Sequence, residues 1–365
     1  MIIRTITCHR SYNHGAMLQT LALVTFLSSL GHDVKVIDYW PKYMRAEHRI
    51  PPLYNHWGIR QLYLLAKIPS DIKRNRRKKA FKRFYLRYIP VADQCYHSFE
   101  DLKQDPPESD LYVAGSDQIW NTSFLNGKDP AFYLDFGTPK RKISYAASFA
   151  TDGLKVGTEP FVKTQLANFD EISVREESAV KILNRLGYNG CVVVDPVFLL
   201  PVEQWDRFDK GALVGEKYIL IYDFEPKGQS IEPLAKRLAR LHDCKIYSVG
   251  PYKYSYSDKN FVDVGPDVFV SLIKHARCVI SNSFHGTAFS MIYHRDFFVV
   301  NRQDGLNVRM HDLLTRYDLI NRLVGPGVSD RDLMMGIDYN TLEMKISRDI
   351  ELSKSFLQRQ LELVK

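Results

Sequence analysis

The sequence predicts an α/β protein built from two units, each a mostly parallel sheet flanked by helices. Its 365 residues exceed what one small core needs and suggest two domains of ordinary size. Short apolar segments alternate with segments of helical periodicity, which is typical of parallel sheets with crossover helices. The pattern restarts after 200–216, where Pro201, Gly211 and Gly215 interrupt a polar stretch.

The first unit opens with a strand at 2–7, a helix at 16–30 and a second strand at 34–39. This βαβ order begins a doubly wound sheet. The loop between the first strand and the helix lacks a G-x-G-x-x-G pattern, so a dinucleotide fingerprint is absent. Asp38 stands where a ribose-binding carboxylate would, but the missing glycines argue against that interpretation.

Later segments complete both units. In the first unit we predict strands at 111–114, 143–147 and 191–194, and a strand from 171 that runs into a helix ending at 186. In the second unit we predict strands at 218–222, 245–249, 278–280 and 297–300, and helices at 231–241, 268–275 and 286–293. We therefore expect an N-terminal domain over 1–205 with a basic helical insertion near 56–90, a C-terminal domain over 206–335, and a tail helix in 336–365 that packs back on the first domain.

The composition excludes several classes of protein. No stretch approaches the ~20 apolar residues of a membrane span, and the first residues are too polar for a signal peptide, so we expect a cytoplasmic protein. The five cysteines have no close metal-ligand or redox spacing, and no cluster of His, Asp or Glu has ligand spacing. We therefore expect reduced thiols and no metal.

The net charge of +8 is concentrated in 73–87, where nine residues are lysine or arginine. Phe81, Phe84, Tyr85 and Tyr88 recur there at helical spacing, which predicts a basic helix with one apolar stripe. Such a helix could bind an anionic membrane surface, a lipid diphosphate or nucleic acid, or it could be a solvated helix docked by its stripe. Nothing else in the sequence supports nucleic acid, and we expect no nucleic-acid partner.

His285 lies where the short apolar strand at 278–280 ends in polar residues and a helix begins. In open α/β sheets, ligands bind beyond the carboxyl ends of the strands, where helix N-termini attract anions. An imidazole at such a place suggests acid/base chemistry on an anionic substrate. A helix-capping or packing role is the alternative.

Polar residues also follow the other predicted strands. The Gly-Ser-Asp-Gln run at 115–118 could hydrogen-bond sugar hydroxyls, with Asp117 as a second base, or form a tight turn capped by Asp117. Asn13 and Gly15 could receive an anion or a substrate, or form a plain helix N-cap. Since the carboxyl ends of parallel strands share one edge, these residues predict a single cleft.

Six segments, in order along nearly the whole chain, resemble motifs of the polysaccharide pyruvyl transferase family. They are 11–19 (SYNHGAMLQ), 113–121 (VAGSDQIWN), 143–149 (ISYAASF), 172–176 (ISVRE), 194–197 (VDPV) and 280–288 (ISNSFHGTA). The resemblance implies two Rossmann-like domains in a GT-B-like arrangement, with the site in the interdomain cleft. It also implies phosphoenolpyruvate as donor without a further cofactor, and a galactose-like sugar of a surface polysaccharide, or its lipid-linked precursor, as acceptor.

The resemblance carries roles onto individual residues. His285 looks like the family's catalytic histidine and Arg175 like the arginine that holds the donor, although a salt bridge to Glu176 or Glu177 is the alternative for Arg175. Two residues depart from the family pattern: Ser283 stands where some members carry an arginine, with Arg309 as candidate replacement, and His14 stands where relatives usually show an aromatic. The implied donor-binding residues are Asn282, Ser283, Phe284, Gly286 and Arg309, and the implied acceptor-binding residues are Asn13, Gly15, Gly115, Ser116, Asp117 and Gln118.

Three functions stay open at this point. The first, which the resemblance favours, is transfer of the enolpyruvyl group of phosphoenolpyruvate to a sugar, forming a pyruvate ketal and releasing phosphate. The second is glycosyl transfer from a nucleotide sugar on a GT-B fold. The third is a non-catalytic role in assembly at the inner face of the cell membrane, with contact through the basic helix 73–87.

Overall fold

The computed structural model describes residues 1–45, 57–211, 215–226, 228, 230–303 and 307–364, with the backbone alone for 57–72. Two five-stranded parallel sheets, one in each half of the chain, dominate the structure. The predicted α/β class is confirmed.

The first sheet occupies the N-terminal half. Its strands are β1 Ile2–Ile6, β2 Asp33–Tyr39, β3 Val91–Tyr96, β4 Leu111–Ala114 and β5 Arg141–Ser144, in the order β3-β2-β1-β4-β5. Two short parallel strands, β6 Ser173–Val174 and β7 Cys191–Val192, continue the sheet beyond β5 through a bridge between Ala147 and Val174. The helices of this half are α1 His14–Ser29, α2 Trp57–Tyr88, α3 Phe99–Gln104, α4 Glu159–Leu166, α5 Glu177–Leu186 and α6 Val202–Asp206.

The second sheet repeats this plan. Its strands are β8 Tyr218–Tyr222, β9 Lys245–Val249, β10 Lys259–Phe261, β11 Cys278–Ser281 and β12 Asp296–Val299, in the order β10-β9-β8-β11-β12. Its helices are α7 Glu232–His242, α8 Pro266–His275, α9 Phe284–Ile292, α10 Val308–Arg316 and α11 Asp330–Met334. Counted within each sheet, both strand orders are 3-2-1-4-5, so each half is a Rossmann-like domain. The boundaries at 205 and 335 stay predictions.

Helix α1 joins the two domains. Thirteen of its 16 residues are buried, because it packs on β2 and also against α8 and α9 of the second domain. A helix that is apolar on every side needs such an enclosure. The first turn of α1 therefore points at the interface between the two sheets.

The tail forms a long helix, α12 Tyr339–Glu362. It contacts the N-terminal domain, where Ser353 Oγ accepts a hydrogen bond of 2.9 Å from the backbone N–H of Val194 and Gln360 Oε1 accepts one of 2.9 Å from Arg141. At its start, the Tyr339 hydroxyl donates to the carbonyl of Arg295 in the second domain at 2.5 Å. Helix α12 therefore ties the two domains together.

The basic stretch 73–87 lies within the single long helix α2. Phe81 and Phe84 on its inner side are buried, while Lys79 and Lys82 on its outer side are exposed. The apolar stripe therefore docks the helix on the protein and leaves charge toward solvent. Within the part of the chain that the structure describes, no helix combines the length and apolar character needed to cross a bilayer.

The sequence-based prediction of elements differs from the structure in several places, and it gave no helix for α3, α4, α6, α10 or α11. It missed the outermost strands β3 and β10, since β3 alternates polar residues on a half-exposed edge and β10 has only three residues. It also began α9 at Gly286, whereas the helix begins at Phe284 after the extended Ser283. His285 is therefore inside the first helical turn rather than before it.

Candidate active site

The site forms where the first turns of α1 and α9 meet between the domains. Gly15 of α1 lies against the imidazole of His285, so closely that a Cβ on Gly15 would be 2.0 Å from His285 Nδ1. His285 is only 5% exposed. Two helix N-termini, with their unpaired N–H groups and positive dipole ends, therefore converge on one buried histidine.

Asp195, just after β7, is the carboxylate at the centre of this site. Its Oδ2 accepts hydrogen bonds from Arg175 Nη1 at 2.7 Å and from Ser116 Oγ at 3.0 Å. His285 Nε2 lies 3.5 Å from the same oxygen, within ion-pair range but too far for a well-formed hydrogen bond. Burial opposes the charge on Asp195, but His285 and Arg175 outweigh it and hold its pKa well below the usual range.

Arg175 is buried in the first domain and reaches the second. Its guanidinium lies 4.2 Å from the centre of the Phe284 ring, at the start of α9. Glu176 is 3.8 Å from Arg175 Nε, and Asp117 is 3.8 Å from Nη2. For Arg175 the sequence left open a salt bridge to Glu176 or Glu177. The contact with Glu176 at 3.8 Å is the longer one, because the short ion pair of Arg175, at 2.7 Å, is with Asp195.

Arg309 of α10 brings a second guanidinium to the same place. Its Nη1 is 3.9 Å from Asp117 Oδ1. In the amide orientation that satisfies both ends of the side chain, the Gln118 oxygen accepts from Nη1 and Nη2 of Arg309 at 3.1 and 2.9 Å. Burial and the neighbouring Arg175 lower the pKa of Arg309 to about 10, so it stays charged at neutral pH.

The turn after β4 holds the predicted Gly-Ser-Asp-Gln run. Asp117 has a φ of +78°, which an ordinary side chain rarely adopts. This bend directs its carboxylate between Arg175 and Arg309, while Ser116 turns to Asp195. Gly115 lies in close contact with Thr7, where a Cβ would meet the Thr7 Cβ at 3.3 Å.

The residues around His285 in the second domain have structural partners of their own. Asn282 donates to Asp223 at 2.5 Å and accepts from the N–H of Phe224 at 3.0 Å, so it fastens the loop after β8. Gly286 sits so close to Ser281 that a Cβ would be 2.6 Å from its hydroxyl. Ser283 is the N-cap residue of α9, but its side chain makes no capping hydrogen bond. Donor contact by Asn282, Ser283 and Gly286 stays a prediction.

The loop before α1 serves the helix and the interface. The Asn13 side chain accepts from the N–H of Ala16 at 3.2 Å, which is the N-cap role predicted as its alternative. His14 is fully buried and stacks on Phe269 of the second domain, with ring centres 4.9 Å apart. Burial lowers the pKa of His14 well below its usual value, so it packs as a neutral aromatic ring.

Asp38 does not offer a free carboxylate for a ribose. Arg10 Nε donates a hydrogen bond of 2.7 Å to Asp38 Oδ1, and Arg10 Nη2 donates a second one to Oδ2. Asp38 Oδ1 is also 3.2 Å from His9 Nε2. These partners hold its pKa at about 2 against the cost of burial. The ribose-binding interpretation is therefore unsupported by the geometry as well as by the glycine pattern.

Two carboxylates of the site were not among the sequence-predicted site residues. Asp195 belongs to the VDPV segment at 194–197 and follows a predicted strand, like the other polar residues of the cleft. Glu176 accepts from Ser148 Oγ at 2.7 Å and from the N–H of Ala150 at 3.1 Å, and burial raises its pKa. Its position beside Arg175 in the ISVRE segment was the available signal.

A small cavity borders the site. The cavity lined by Arg175, Glu176, Asp195, Phe284 and Arg309 measures about 20 Å³, room for about one water molecule. Among the described residues, no group of three or more His, Cys, Asp or Glu side chains is arranged to hold a metal ion.

The model of the family "Polysaccharide pyruvyl transferase" matches residues 13–304. The chain belongs to this family. The matched segment contains Gly15, Arg175, Asp195 and His285, which the fold brings together, while Arg309 lies just beyond it. No curated protein sequence matches the chain.

Solved structures show the same fold at low identity. UDP-N-acetylglucosamine 2-epimerase from Rickettsia bellii has a TM-score of 0.53 at 14% identity, covering 99% of this chain and 96% of its own. A candidate UDP-N-acetylglucosamine 2-epimerase from Listeria monocytogenes has a TM-score of 0.51 at 9% identity, covering 97% and 88%. AviGT4, a glycosyltransferase involved in avilamycin A biosynthesis, has a TM-score of 0.49 at 11% identity, covering 100% and 98%. The two epimerase structures, together with the chain's own pair of five-stranded sheets, show that this polysaccharide pyruvyl transferase family member has a GT-B-like arrangement of two Rossmann-like domains.

Proposed function

We propose that the protein transfers the pyruvyl group of phosphoenolpyruvate to a galactose-like sugar, forming a pyruvate ketal of a surface polysaccharide. The observation that carries this proposal is the buried meeting of His285 with two helix N-termini, beside the guanidiniums of Arg175 and Arg309. Membership of the family supports the transferase activity. The guanidiniums and helix N-termini of the site also suit the binding of a small, highly charged anion.

The donor would be held by buried N–H groups that now lack acceptors. Within the described part of the chain, Arg175 Nε and Nη2 and Arg309 Nε are buried without a hydrogen-bond partner. An unsatisfied buried donor costs free energy, which an anionic ligand would recover. A guanidinium can hold a carboxylate or a phosphate in a two-pronged contact, so these two arginines suit the two ends of phosphoenolpyruvate. Arg309 supplies the cation that Ser283 does not.

The reaction needs a group that moves protons. One sugar hydroxyl adds to C2 of the enolpyruvyl group while C3 gains a proton; the C2–O bond to phosphate then breaks, and a second hydroxyl of the same sugar closes the ketal. The two hydroxyl protons end on the new methyl group and on the released phosphate, so the step balances. His285 gives and takes these protons, which suits an imidazole near neutral pH. The helix dipoles behind it stabilise the departing phosphate.

The acceptor would enter from the side of the N-terminal domain. Gly115, Ser116, Asp117, Gln118 and the start of α1 at Asn13 and Gly15 lie at the edge where β1 and β4 end, and they would contact the sugar. Asp117 is the carboxylate placed to serve as a second base. We include in the proposal that the sugar is part of a lipid-linked precursor, handled on the cytoplasmic side of the cell membrane.

The experiment combines purified protein, phosphoenolpyruvate and a synthetic galactoside, with released phosphate and product mass as readouts. We expect the sugar to gain pyruvic acid less one water, and His285→Gln to release phosphate at least about 100-fold more slowly while unfolding like the wild type. His97→Gln, at an exposed histidine that follows the outermost strand β3, is the matched control. Near-normal phosphate release by His285→Gln would overturn the role of His285. A hexose gain from a nucleotide sugar would indicate a glycosyltransferase instead, and no product from any donor would favour a non-catalytic role.

A further inference from the structure

The outer side of α2 presents a basic face, which we define as Arg76, Lys79, Lys82 and Arg83, with Leu86 at its C-terminal end. These residues and Asp263 line a shallow depression of about 560 Å³. The Arg76 side chain is 68% exposed and Leu86 is 69% exposed. Four cations and one carboxylate therefore share a surface that also exposes one apolar side chain.

The side of α2 opposite the basic face packs against the start of α1 and the loop before it. This side of α2 buries Phe81, which contacts the rings of Tyr12 and His14. Arg77 also donates to the carbonyl of Tyr12 at 2.9 Å. Since Tyr12 directly precedes the first turn of α1, whatever the basic face binds comes close to the entrance of the site.

The second domain extends this positive surface. Lys253, in the loop after β9, lies close enough to Lys73 to lower the pKa of its ammonium group. The carboxylate of Asp263 is 3.9 Å from Arg76 and offsets only part of the charge. Cations that crowd one another in this way are stabilised by an external anionic surface.

We propose that the basic face docks the protein on an anionic phospholipid membrane, with the cleft mouth turned toward the lipid headgroups. Lysine and arginine near such a surface are attracted to it, and exposed Leu86 can insert among the acyl chains. A nucleic-acid backbone would use the cations but would leave the exposed Leu86 side chain without an apolar contact. The inference rests on the proposed function in one respect: it brings the site to where a lipid-linked sugar is found.

The test measures co-sedimentation of the full chain with vesicles at about 0.1 M salt. We expect binding to vesicles of phosphatidylcholine with about one-third phosphatidylglycerol, weakening as salt rises, and no binding to phosphatidylcholine alone. Replacing Arg76, Lys79, Lys82 and Arg83 by Gln should weaken binding at least tenfold. The matched control replaces Lys155, Lys163, Lys181 and Arg185 by Gln, four exposed cations elsewhere. Each set removes four charges from the formal +8 and leaves +4.

The outcomes separate this inference from the proposed function. Equal vesicle binding by both variants, or no binding by the wild type, would overturn membrane docking. Tighter binding of the wild type to a DNA or RNA duplex than to vesicles at equal phosphate concentration would assign the face to nucleic acid and equally overturn it. Phosphate release with a water-soluble galactoside does not need the basic face, so the first variant should keep it. A wild type that binds vesicles but never releases phosphate would contradict the proposed function alone.

Discussion

One buried carboxylate, Asp195, links the residues of the site across the two domains. It accepts hydrogen bonds from Arg175 and Ser116 of its own domain, and it lies 3.5 Å from His285 of the other domain. A buried ion pair is costly to form, but removing one partner is costlier because the other charge stays buried. The carboxylate therefore positions both the arginine and the histidine.

Replacing Asp195 by Asn should destabilise the protein by about 3 kcal/mol at pH 7, because Arg175 stays buried with its charge unpaired. The native pKa of Asp195 lies below its unfolded value, so its contribution is complete above that unfolded value of ~3.9 and is lost as pH falls below it. Denaturant unfolding should show a difference in the free energy of unfolding between wild type and variant at about pH 5 that narrows below about pH 4. A gap that grows on acidification would contradict the assigned direction.

The sequence predicted which residues lie together better than it predicted their contacts. Arg175, Asp117 and His285 lie together, as their strand-end positions suggested, and Arg309 of α10 joins them. Asp195 was not predicted as a site residue, because β7 is two residues long and its distance from β4 along the chain hides their contact. Which polar side chain faces which depends on register and helix start, which a pattern does not specify.

At the scale of elements, the site depends on how closely α1 and α9 approach. Periodicity predicted both helices, but not that their first turns touch. That contact follows from Gly15, whose missing side chain leaves room for the His285 ring. The missed edge strands β3 and β10 lie at the far ends of their sheets, so overlooking them did not misplace the cleft.

Gly15→Ala should impair the enzyme although alanine normally favours a helix by about 1 kcal/mol over glycine. The added alanine Cβ would lie 2.0 Å from Nδ1 of His285 and 2.7 Å from the Cβ of His285, so the imidazole or the whole helix must move. We expect phosphate release from phosphoenolpyruvate to fall about 100-fold, since small misplacements of a catalytic group cost that much. Gly153→Ala, which would meet nothing within 4 Å, is the control. Equal activities of the two variants would mean that α1 and α9 are not held together during turnover.

At the scale of the whole molecule, the two domains are closed on each other. One apolar core runs from the first sheet through α1 to α8 and α9 of the second domain. Helix α12 contacts both domains as well. Because sequence patterns describe one element at a time, they predicted two domains and a cleft but not how tightly the cleft is shut.

The small cavity beside Arg175 and Arg309 predicts that the domains separate before the donor binds there. A cavity of about 20 Å³ holds about one water molecule, and a donor with both a phosphate and a carboxylate needs several times that space. Glu177 of α5 and Arg316 of α10 approach within 3.3 Å across the interface and partly face solvent, so they offer a place to lock it. Opening and reclosing of this kind sets the pace of many two-domain enzymes.

We therefore expect the double variant Glu177→Cys, Arg316→Cys to lose at least tenfold in phosphate release when a short, thiol-cleavable linker joins the two cysteines. Dithiothreitol, which removes the linker, should restore the rate. Each single variant treated in the same way controls for linker attached to Cys191, the exposed native thiol, and peptide mass spectrometry identifies the joined pair. A cross-linked protein that binds phosphoenolpyruvate in calorimetry as tightly as the reduced one would show that the donor enters without domain separation. Loss of binding with the linker, and its return without it, is the result that the 20 Å³ cavity requires.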